Sequence, residues 1–244
     1  IDVYQKELFN NIISNDCFEN TKNSMFLTIK NGGDLDKPIT EESDYIFHSA
    51  AQPGVRASWG EQFTTYLNDN ILSTQKILET AKNCKNIKKI IIASSSSVYG
   101  NQTGKMDEET TMVKPVSPYG ATKLVTENLG YTYFKNFGLP VTSLRYFTVF
   151  GPRQRPDMAF TRFIVNSLEK KPIIVYGDGT QSRDFTFVED IVNANFQCME
   201  HDLEGEIINI GGGNINTVSE VIQKIENILQ IPIEIKNLDF QKGD

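Results

Sequence analysis

The sequence is poor in the residues that build metal sites and disulfide frameworks, and it has no long apolar run. It contains two histidines and three scattered cysteines, Cys17, Cys84 and Cys198, without a CxxC pair. This composition gives no zinc-ligand pattern and favours a reduced, cytoplasmic setting. No apolar stretch approaches the roughly 20 residues of a membrane-spanning helix, and no signal-peptide pattern opens the chain. We therefore expect no contact with a membrane.

An excess of basic charge is also missing. The chain carries 24 Lys and Arg residues against 31 Asp and Glu residues, for a formal net charge of −7. A surface of this sign argues against nucleic acid as a partner, although a local basic pocket for one phosphorylated ligand stays compatible with it. With 244 residues and 39% hydrophobic content, the chain is long enough for one sizeable core.

Strand and helix patterns alternate along the chain. Buried-strand patterns are followed by helical periodicity at the spacing of right-handed βαβ units, which predicts an α/β fold with a Rossmann-like doubly wound parallel sheet. We expect this sheet in residues 1–150 and a smaller, interleaved, mixed α/β part in residues 151–244. The predicted strands are 25–29, 44–51, 89–94, 139–147, 173–176 and 206–213, and the predicted helices are 62–83, 117–136, 159–170, 188–199 and 218–229.

The spacing of Tyr119 and Lys123 indicates a chemical role for this pair. Tyr119 and Lys123 are four residues apart at the start of a predicted helix, so they lie on one helix face. An ammonium beside a phenol favours the phenolate, which can act as a base near neutral pH. The serine run 94–97 ends a predicted strand, and ligands of doubly wound sheets bind beyond such strand ends. Residues 50–52 and 146–148 fall at the same edge, which predicts a proton-transfer site for an alcohol.

The motifs around this pair give the chain a family resemblance. SSSSVYG and YGATK occur together with GDL, HSAAQPGVR, NILST, LRYFTVFGPRQRPDMA, GDGTQSRDF and NIGGG, in that family's order and over nearly the whole chain. In this respect the chain resembles the extended short-chain dehydrogenases/reductases, specifically the nucleotide-sugar 4-epimerases. The resemblance implies NAD as cofactor, a UDP-sugar as substrate and a homodimer formed through a four-helix interface.

The resemblance also implies catalytic roles. Tyr119 would take the proton of the sugar 4-hydroxyl, Lys123 would hold the cofactor ribose and lower the pKa of Tyr119, and Ser95 would hydrogen-bond the reacting oxygen. Hydride would pass from the sugar C4 to the nicotinamide and return to the opposite face. Ordinary packing of Tyr119 and solvation of Lys123 are the alternatives, and Ser94 or Ser96 competes with Ser95.

The cofactor contacts implied in the same way involve an acidic turn, a strand end and a helical asparagine. Asp34 is equally a plausible turn residue, and Asn70 a plausible exposed helix residue. The implied cofactor-binding residues are Asp34, Leu35, Ala50, Ala51, Gln52, Asn70, Tyr119, Lys123 and Tyr146.

For the substrate, Arg183 is the candidate for the diphosphate, because a guanidinium matches paired phosphate oxygens. Thr148 and Arg155 resemble the sugar-facing positions of UDP-glucuronate epimerases, although Arg153 and Arg155 are equally plausible as solvated loop charges. Asp244 resembles a ribose-binding aspartate, but Gln241 stands where the family has an arginine. The implied substrate-binding residues are Ser95, Ser96, Thr148, Arg155, Arg183 and Asp244.

The family's opening strand and GxxGxxG turn have no counterpart in this sequence, which begins at Ile1. We therefore expect a fragment of a longer UDP-sugar 4-epimerase; a catalytically inactive remnant or binding module is the alternative from another functional class. Within enzymes, the alternative is a nucleotide-sugar dehydratase or decarboxylase. Those relatives carry acidic residues before VYG, whereas this chain has Ser96 and Ser97, which favours epimerisation.

Overall fold

The structure is a computed structural model that describes residues 43–102 and 104–239. The predicted strand at 25–29 lies outside these residues, as do Asp34, Leu35, Gln241 and Asp244. The helices and strands, numbered in chain order, are β1 (Tyr45–His48), α1 (Phe63–Tyr66, Leu67–Leu72 and Ser73–Ala81 without a break), β2 (Lys89–Ser95), α2 (Pro118–Phe137), β3 (Val141–Tyr146), β4 (Thr148–Phe150), α3 (Ala159–Leu168), β5 (Ile173–Tyr176), β6 (Ser182–Phe187), α4 (Val188–Glu200), β7 (Ile207–Ile210), β8 (Ile215–Thr217), α5 (Val218–Leu229) and β9 (Ile235–Leu238).

A parallel sheet in the order β1-β2-β3-β7 forms the centre of the described chain. Along β2, Ile90 and Ile92 pack with residues of α1 and α2, whereas Ile91 packs with Cys198 of α4 on the other face. A parallel sheet covered on both faces needs apolar side chains in both directions, and the run KKIII supplies them. The predicted α/β, Rossmann-like class is confirmed.

Capping residues mark both ends of helix α2 in the sequence. The Ser117 hydroxyl accepts a hydrogen bond from the Gly120 N–H, Pro118 follows at the first helical position, and Gly138 ends the helix at φ +66°. In its middle, a Cβ on Gly130 would come within 2.9 Å of the Val141 side chain. The glycine lets α2 lie close against β3.

The strands after residue 150 form smaller sheets and also return to the central sheet. Strands β4, β6 and β8 form one sheet and β5 and β9 another, with α3 and α5 packed around Ile173 and Val175 of β5. Strand β7 then returns to pair with β3, Ser143 lying opposite Ile207. The proposed boundary near residue 150 is therefore crossed by the sheet itself.

Several details differ from the sequence prediction. The strand predicted at 139–147 ends at Tyr146, and Thr148–Phe150 forms a separate strand in another sheet. Strands β6, β8 and β9 were not predicted, because their short polar sequences read as loops and they are stabilised by pairing with distant segments. Helix α1 contains a π-helical turn at Leu67–Leu72, which periodicity alone does not reveal. Within residues 43–102 and 104–239, no helix is long and apolar enough to cross a membrane.

Candidate active site

The start of α2 lies directly against the turn that follows β2. A Cβ on Gly120 would come within 2.5 Å of the Ser97 carbonyl oxygen, so only glycine allows this approach. Ser95 begins the 3₁₀ turn Ser96–Val98, and its hydroxyl accepts from the Ser97 N–H at 3.2 Å. Tyr119, next to Gly120, is thereby brought to the end of the strand that carries Ser95.

Tyr119 is half-buried among groups that act on its phenol. Burial raises the pKa of Tyr119, whereas hydrogen bonding with the Ser95 hydroxyl and the positive charge of Arg155 lower it. The ring of Tyr66 meets the Tyr119 ring edge-on, with centroids 6.2 Å apart. Burial is the largest of these influences, so the pKa of Tyr119 is raised from its ordinary value and the phenol is protonated at neutral pH. The lowering of this pKa by Lys123 stays a prediction.

Lys123 is buried, with 6% of its surface exposed. Its Nζ donates to the Ala93 carbonyl oxygen at 2.6 Å, which ties α2 to β2 two residues before Ser95. Burial lowers the pKa of Lys123 to about 8, although the charge of Glu127 opposes this shift. The alternative of a solvated helix lysine is therefore excluded.

The three competing serines have different partners. The Ser94 hydroxyl donates to Glu127 Oε1 at 2.5 Å inside the protein, which removes it from the Tyr119 side. Ser96 is half-buried in the 3₁₀ turn. Ser95 shares a 3.1 Å hydrogen bond with the Ser97 hydroxyl and is the serine whose hydroxyl acts on Tyr119.

The segment after β1 is held by Asn70. Asn70 is 1% exposed; its amide accepts from Gln52 N at 2.7 Å and donates to Gln52 O at 3.2 Å and to Thr122 Oγ1 at 2.9 Å. The alternative of an exposed helix residue is thus wrong, and the side chain fixes the Gln52 main chain against α2. Ala50 and Ala51, just before Gln52, are half-buried.

At the end of β3, the predicted residues point in different directions. The Tyr146 hydroxyl donates to Asn195 of α4 at 2.9 Å, and burial raises its pKa. The Tyr146 phenol is therefore bonded to α4 rather than to Tyr119. The predicted cofactor contact of Tyr146 would then be made by its main chain. Thr148 begins β4 and pairs with Phe185 in β6.

The two predicted arginines lie on different supports. Arg155 is partly buried in the loop before α3, 3.3 Å from Asp157, and its charge reaches both Tyr66 and Tyr119. Arg183 lies in β6 and donates to the Ser182 carbonyl at 2.8 Å. Arg155 is thus brought to the Tyr119 site, whereas Arg183 belongs to the neighbouring three-stranded sheet.

These residues fit one half of the implied cofactor. The strand ends carry small side chains at Ala50 and Ala51, and the ammonium of Lys123 and the phenol of Tyr119 are donors of the kind that suit a ribose and a carbonyl or alcohol oxygen. Asp34 and Leu35, implied for the adenine half, lie outside the described residues. Within residues 43–102 and 104–239, no cluster of His, Cys, Asp or Glu is arranged for a metal ion.

Four residues of this region were not singled out in the sequence: Tyr66, Glu127, Arg145 and Asp184. Tyr66 precedes Asn70 by four residues, and Glu127 follows Lys123 by four, so helical spacing was the available signal. Asp184 accepts from the N–H groups of Gly212 and Gly213 at 2.9 and 3.2 Å. This contact explains why QSRDF and NIGGG occur together, and only the tertiary structure reveals it.

Comparison with known proteins agrees with this geometry. The model of the "NAD dependent epimerase/dehydratase family" matches residues 9–211. A protein named "Uncharacterized UDP-glucose epimerase YtcB" of Bacillus subtilis is 47% identical over 191 residues, which cover 78% of this chain and 60% of that protein. The UDP-glucuronate 4-epimerase of Thermodesulfobacterium geofontis is 42% identical over 200 residues, covering 82% of this chain and 61% of the relative. The chain thus spans about three-fifths of the length of these relatives.

A solved structure gives the same result. The UDP-glucuronic acid 4-epimerase of Bacillus cereus, crystallised with UDP-glucuronic acid and NAD, superposes with a TM-score of 0.82 at 43% identity, over 85% of this chain and 66% of that one. The family match covers most of the sequence, and the Ser95, Tyr119 and Lys123 side chains converge at its strand ends. The chain therefore belongs to the NAD dependent epimerase/dehydratase family.

Proposed function

We propose that the protein acts as an NAD-dependent UDP-sugar 4-epimerase. The observation that carries the proposal is the convergence of Ser95, Tyr119 and Lys123 at the end of β2. Hydrogen bonding with the Ser95 hydroxyl lowers the pKa of the Tyr119 phenol. The Lys123 ammonium donates to the carbonyl of Ala93, two residues before Ser95 in β2. A hydroxyl, a phenol and an ammonium brought to the same strand end suit proton transfer to and from a sugar alcohol.

In this proposal NAD, when bound, supplies the hydride acceptor and donor for the sugar C4. Lys123, with the main chain of Tyr146 and the segment Ala50–Gln52, would hold its nicotinamide and ribose half, and Asn70 would keep Gln52 in place. Asp34 and Leu35 stay predicted contacts of its adenine half.

The chain's own residues move and hold the proton. Tyr119 Oη takes the proton of the substrate 4-hydroxyl and later returns it to the oxygen at C4. Ser95 Oγ hydrogen-bonds that oxygen throughout, so that it stays beside the phenol while the sugar turns. The charge of Lys123 favours the phenolate, and a cationic cofactor ring would act in the same sense against the burial that raises the pKa of Tyr119.

The residues around this centre support a UDP-sugar as substrate. Arg155, whose charge reaches Tyr119, and Thr148 would face the sugar, and a guanidinium there suits a sugar carboxylate such as that of glucuronate. Arg183 would meet the diphosphate, Ser96 the sugar, and Asp244 the uridine ribose. The relatives named for UDP-glucuronate support this substrate class.

The neutral turn after Ser95 favours epimerisation over dehydration or decarboxylation. Ser97 hydrogen-bonds Ser95, and Ser96 lies between them. Neither hydroxyl is the acid or base that removal of water from a sugar requires. The sugar is therefore expected to return with its atoms unchanged and only C4 inverted.

An assay of the protein expressed from its full reading frame, with UDP-glucose, UDP-glucuronate and UDP-N-acetylglucosamine, tests this function. We expect the 4-epimer of at least one sugar, separated by chromatography, and the Tyr119→Phe variant should retain NAD while turnover falls by about 10²–10⁴-fold. Equal turnover of the Tyr119→Phe variant would reject the base, and a 4-keto-6-deoxy or decarboxylated product would reject epimerisation.

A homodimer in the reduced cytoplasm completes the proposal. Helices α1 and α2 pack together and carry exposed apolar side chains, among them Leu72 and Val125, which suit a four-helix interface. Cys84 and Cys198 are free thiols, in keeping with a reducing compartment. Sedimentation of the purified protein measures the oligomeric state.

A further inference from the structure

A buried carboxylate lies behind the proposed catalytic residues. Glu127 follows Lys123 by four residues and Tyr119 by eight, so all three project from one face of α2. Its side chain is 1% exposed, and Oε1 accepts from the Ser94 hydroxyl at 2.5 Å. The helix that carries the phenol and the ammonium is thereby bonded to the residue next to Ser95.

Arg145 of β3 holds this carboxylate from the other side. Its Nε and Nη2 donate to Oε1 and Oε2 of Glu127 at 2.9 and 2.8 Å, a two-point contact that fixes orientation as well as distance. Arg145 lies opposite Ser94 in the sheet, and its Nη1 donates to Tyr99 Oη at 2.7 Å. Tyr99 in turn donates to Asn209 of β7 at 2.9 Å. The network joins α2 to three strands at their site ends.

The charge of Glu127 also acts on Lys123. It is the group that opposes the lowering of the Lys123 pKa by burial. His48 of β1 also interacts with Lys123; burial, with a contribution from the charge of Lys123, lowers the pKa of His48 to about 3, so it is neutral near pH 7. Tyr119 on the same helix is protonated in this range, and Arg145 offsets part of the charge of Glu127.

We propose that Glu127, held by Arg145, is a positioning residue that fixes the Ser95 end of β2 against the turn of α2 that carries Tyr119 and Lys123. The inference rests on the proposed function and deepens it. Glu127 acts through its neighbours, because its hydrogen-bond partners are Ser94 and Arg145. A buried ion pair is a poor source of stability, because desolvation of both charges offsets their attraction. The location of the Glu127–Arg145 pair beside the site points instead to a role in positioning the proposed catalytic residues.

The test compares Glu127→Gln with the wild-type protein. Gln keeps the size of the side chain but removes its charge and one acceptor. We expect kcat to fall about 10²-fold with KM for the UDP-sugar nearly unchanged, because a misplaced proton-transfer group affects the transition state rather than binding. The alkaline limb of the kcat profile should move to lower pH, since Lys123 loses the charge that supports its ammonium.

A double variant separates positioning from stability. Glu127→Met combined with Arg145→Met removes both charges and is expected to recover the thermal unfolding temperature that Glu127→Gln loses. Its kcat should stay low. Recovery of kcat together with stability would overturn the inference in favour of a structural role alone.

The matched control is the ion pair at the opposite end of β2, where Lys89 is buried and bonded to Glu204. Glu204→Gln should lower the unfolding temperature without moving kcat or its pH profile. The titration midpoint of Lys123, followed by NMR of its side chain, gives a readout independent of turnover and should drop in Glu127→Gln.

The two proposals fail in different ways. Absence of turnover with every UDP-sugar would reject the proposed function, and the Lys123 midpoint would then decide the inference by itself. Normal turnover with an unchanged midpoint in Glu127→Gln, while Tyr119→Phe is inactive, would reject only the positioning role.

Discussion

The two halves of strand β2 are built for different purposes. Residues Ile90–Ile92 are at most 2% exposed and pack into apolar clusters on both faces of the sheet. Ser94 and Ser95 at the end of β2, and Ser97 in the turn that follows, carry hydroxyls whose partners are a buried carboxylate, one another and the proposed base. One strand thus anchors the core at one end and presents polar groups at the other.

The change occurs within a few residues and follows from the covering elements. The lower half of β2, Ile90–Ile92, is enclosed by side chains from α1, α2 and α4. Apolar side chains are therefore favoured there, because they are removed from water. At the upper end the helices begin or end, which leaves backbone groups and polar side chains to pair with each other or with a ligand. Replacing residues of either half should therefore affect different properties.

The largest expected effect lies in the lower half. Ile90→Ala removes a fully buried side chain packed between helices and sheet, and it should lower the free energy of unfolding by about 2–5 kcal/mol. Turnover per folded molecule should not change. Chemical denaturation measures the loss, with Ile228→Ala, at a residue 79% exposed, as the control expected to stay near wild type. A loss of turnover in still-folded Ile90→Ala would break the comparison.

The upper half should respond to pH. Because burial lowers the pKa of Lys123 to about 8, the ammonium is lost at a lower pH than in free lysine. Turnover should fall above that pH, by roughly tenfold per unit, since only the charged form supports the Tyr119 phenolate. Unfolded lysine keeps its proton to a higher pH, so burying this charge costs stability below pH 8 and the cost is relieved as the pH rises.

The expected fall of turnover at alkaline pH is therefore not caused by unfolding linked to the titration of Lys123. A kcat profile from pH 6 to 10 with parallel unfolding temperatures checks it, and Lys88→Met, at an exposed lysine paired with Asp44, should leave the profile unchanged. An alkaline limb at the same pH in a Lys123→Arg variant with residual turnover would assign the limb to another residue.

The smallest effect is expected beside the polar end of β2, at Tyr66 of α1. Tyr66→Phe keeps the ring that meets Tyr119 but removes the hydroxyl that donates to Pro53 O at 3.0 Å and Gly54 O at 2.7 Å. We expect a loss of about 1 kcal/mol in the free energy of unfolding and a modest rise in KM as the loop loosens. Tyr131→Phe, at a tyrosine 48% exposed, is the control. A large fall in kcat would place the Tyr66 hydroxyl in the chemistry itself.

Much of the fold could be predicted because its signals are local. The bounds of β5 and α5 agree with the prediction residue for residue, and α2 is marked by Ser117, Pro118 and Gly138. Local sequence does not predict strands β6, β8 and β9, because each is stabilised by pairing with a strand elsewhere in the chain. The π-helical turn of α1 is also absent from the prediction; it contains Asn70, which is buried and bonded to the distant residue Gln52.

The candidate site divides in the same way. The four-residue spacing of Tyr119 and Lys123 is a property of any helix, so the sequence by itself placed them on one face, and the serine run at a strand end placed a hydroxyl nearby. The sequence did not decide among Ser94, Ser95 and Ser96, because that choice depends on which hydroxyl meets Glu127 and which meets Tyr119.

Only the tertiary structure decided the pairing of Glu127 with Arg145, the contact of Lys123 with the Ala93 carbonyl, and the attachment of β7 to β3. These contacts join residues far apart in the chain, and their strength comes from burial, which local sequence does not specify. Spacing along a helix or strand fixes direction, whereas the partner of a buried charge is fixed by which elements the hydrophobic core brings together.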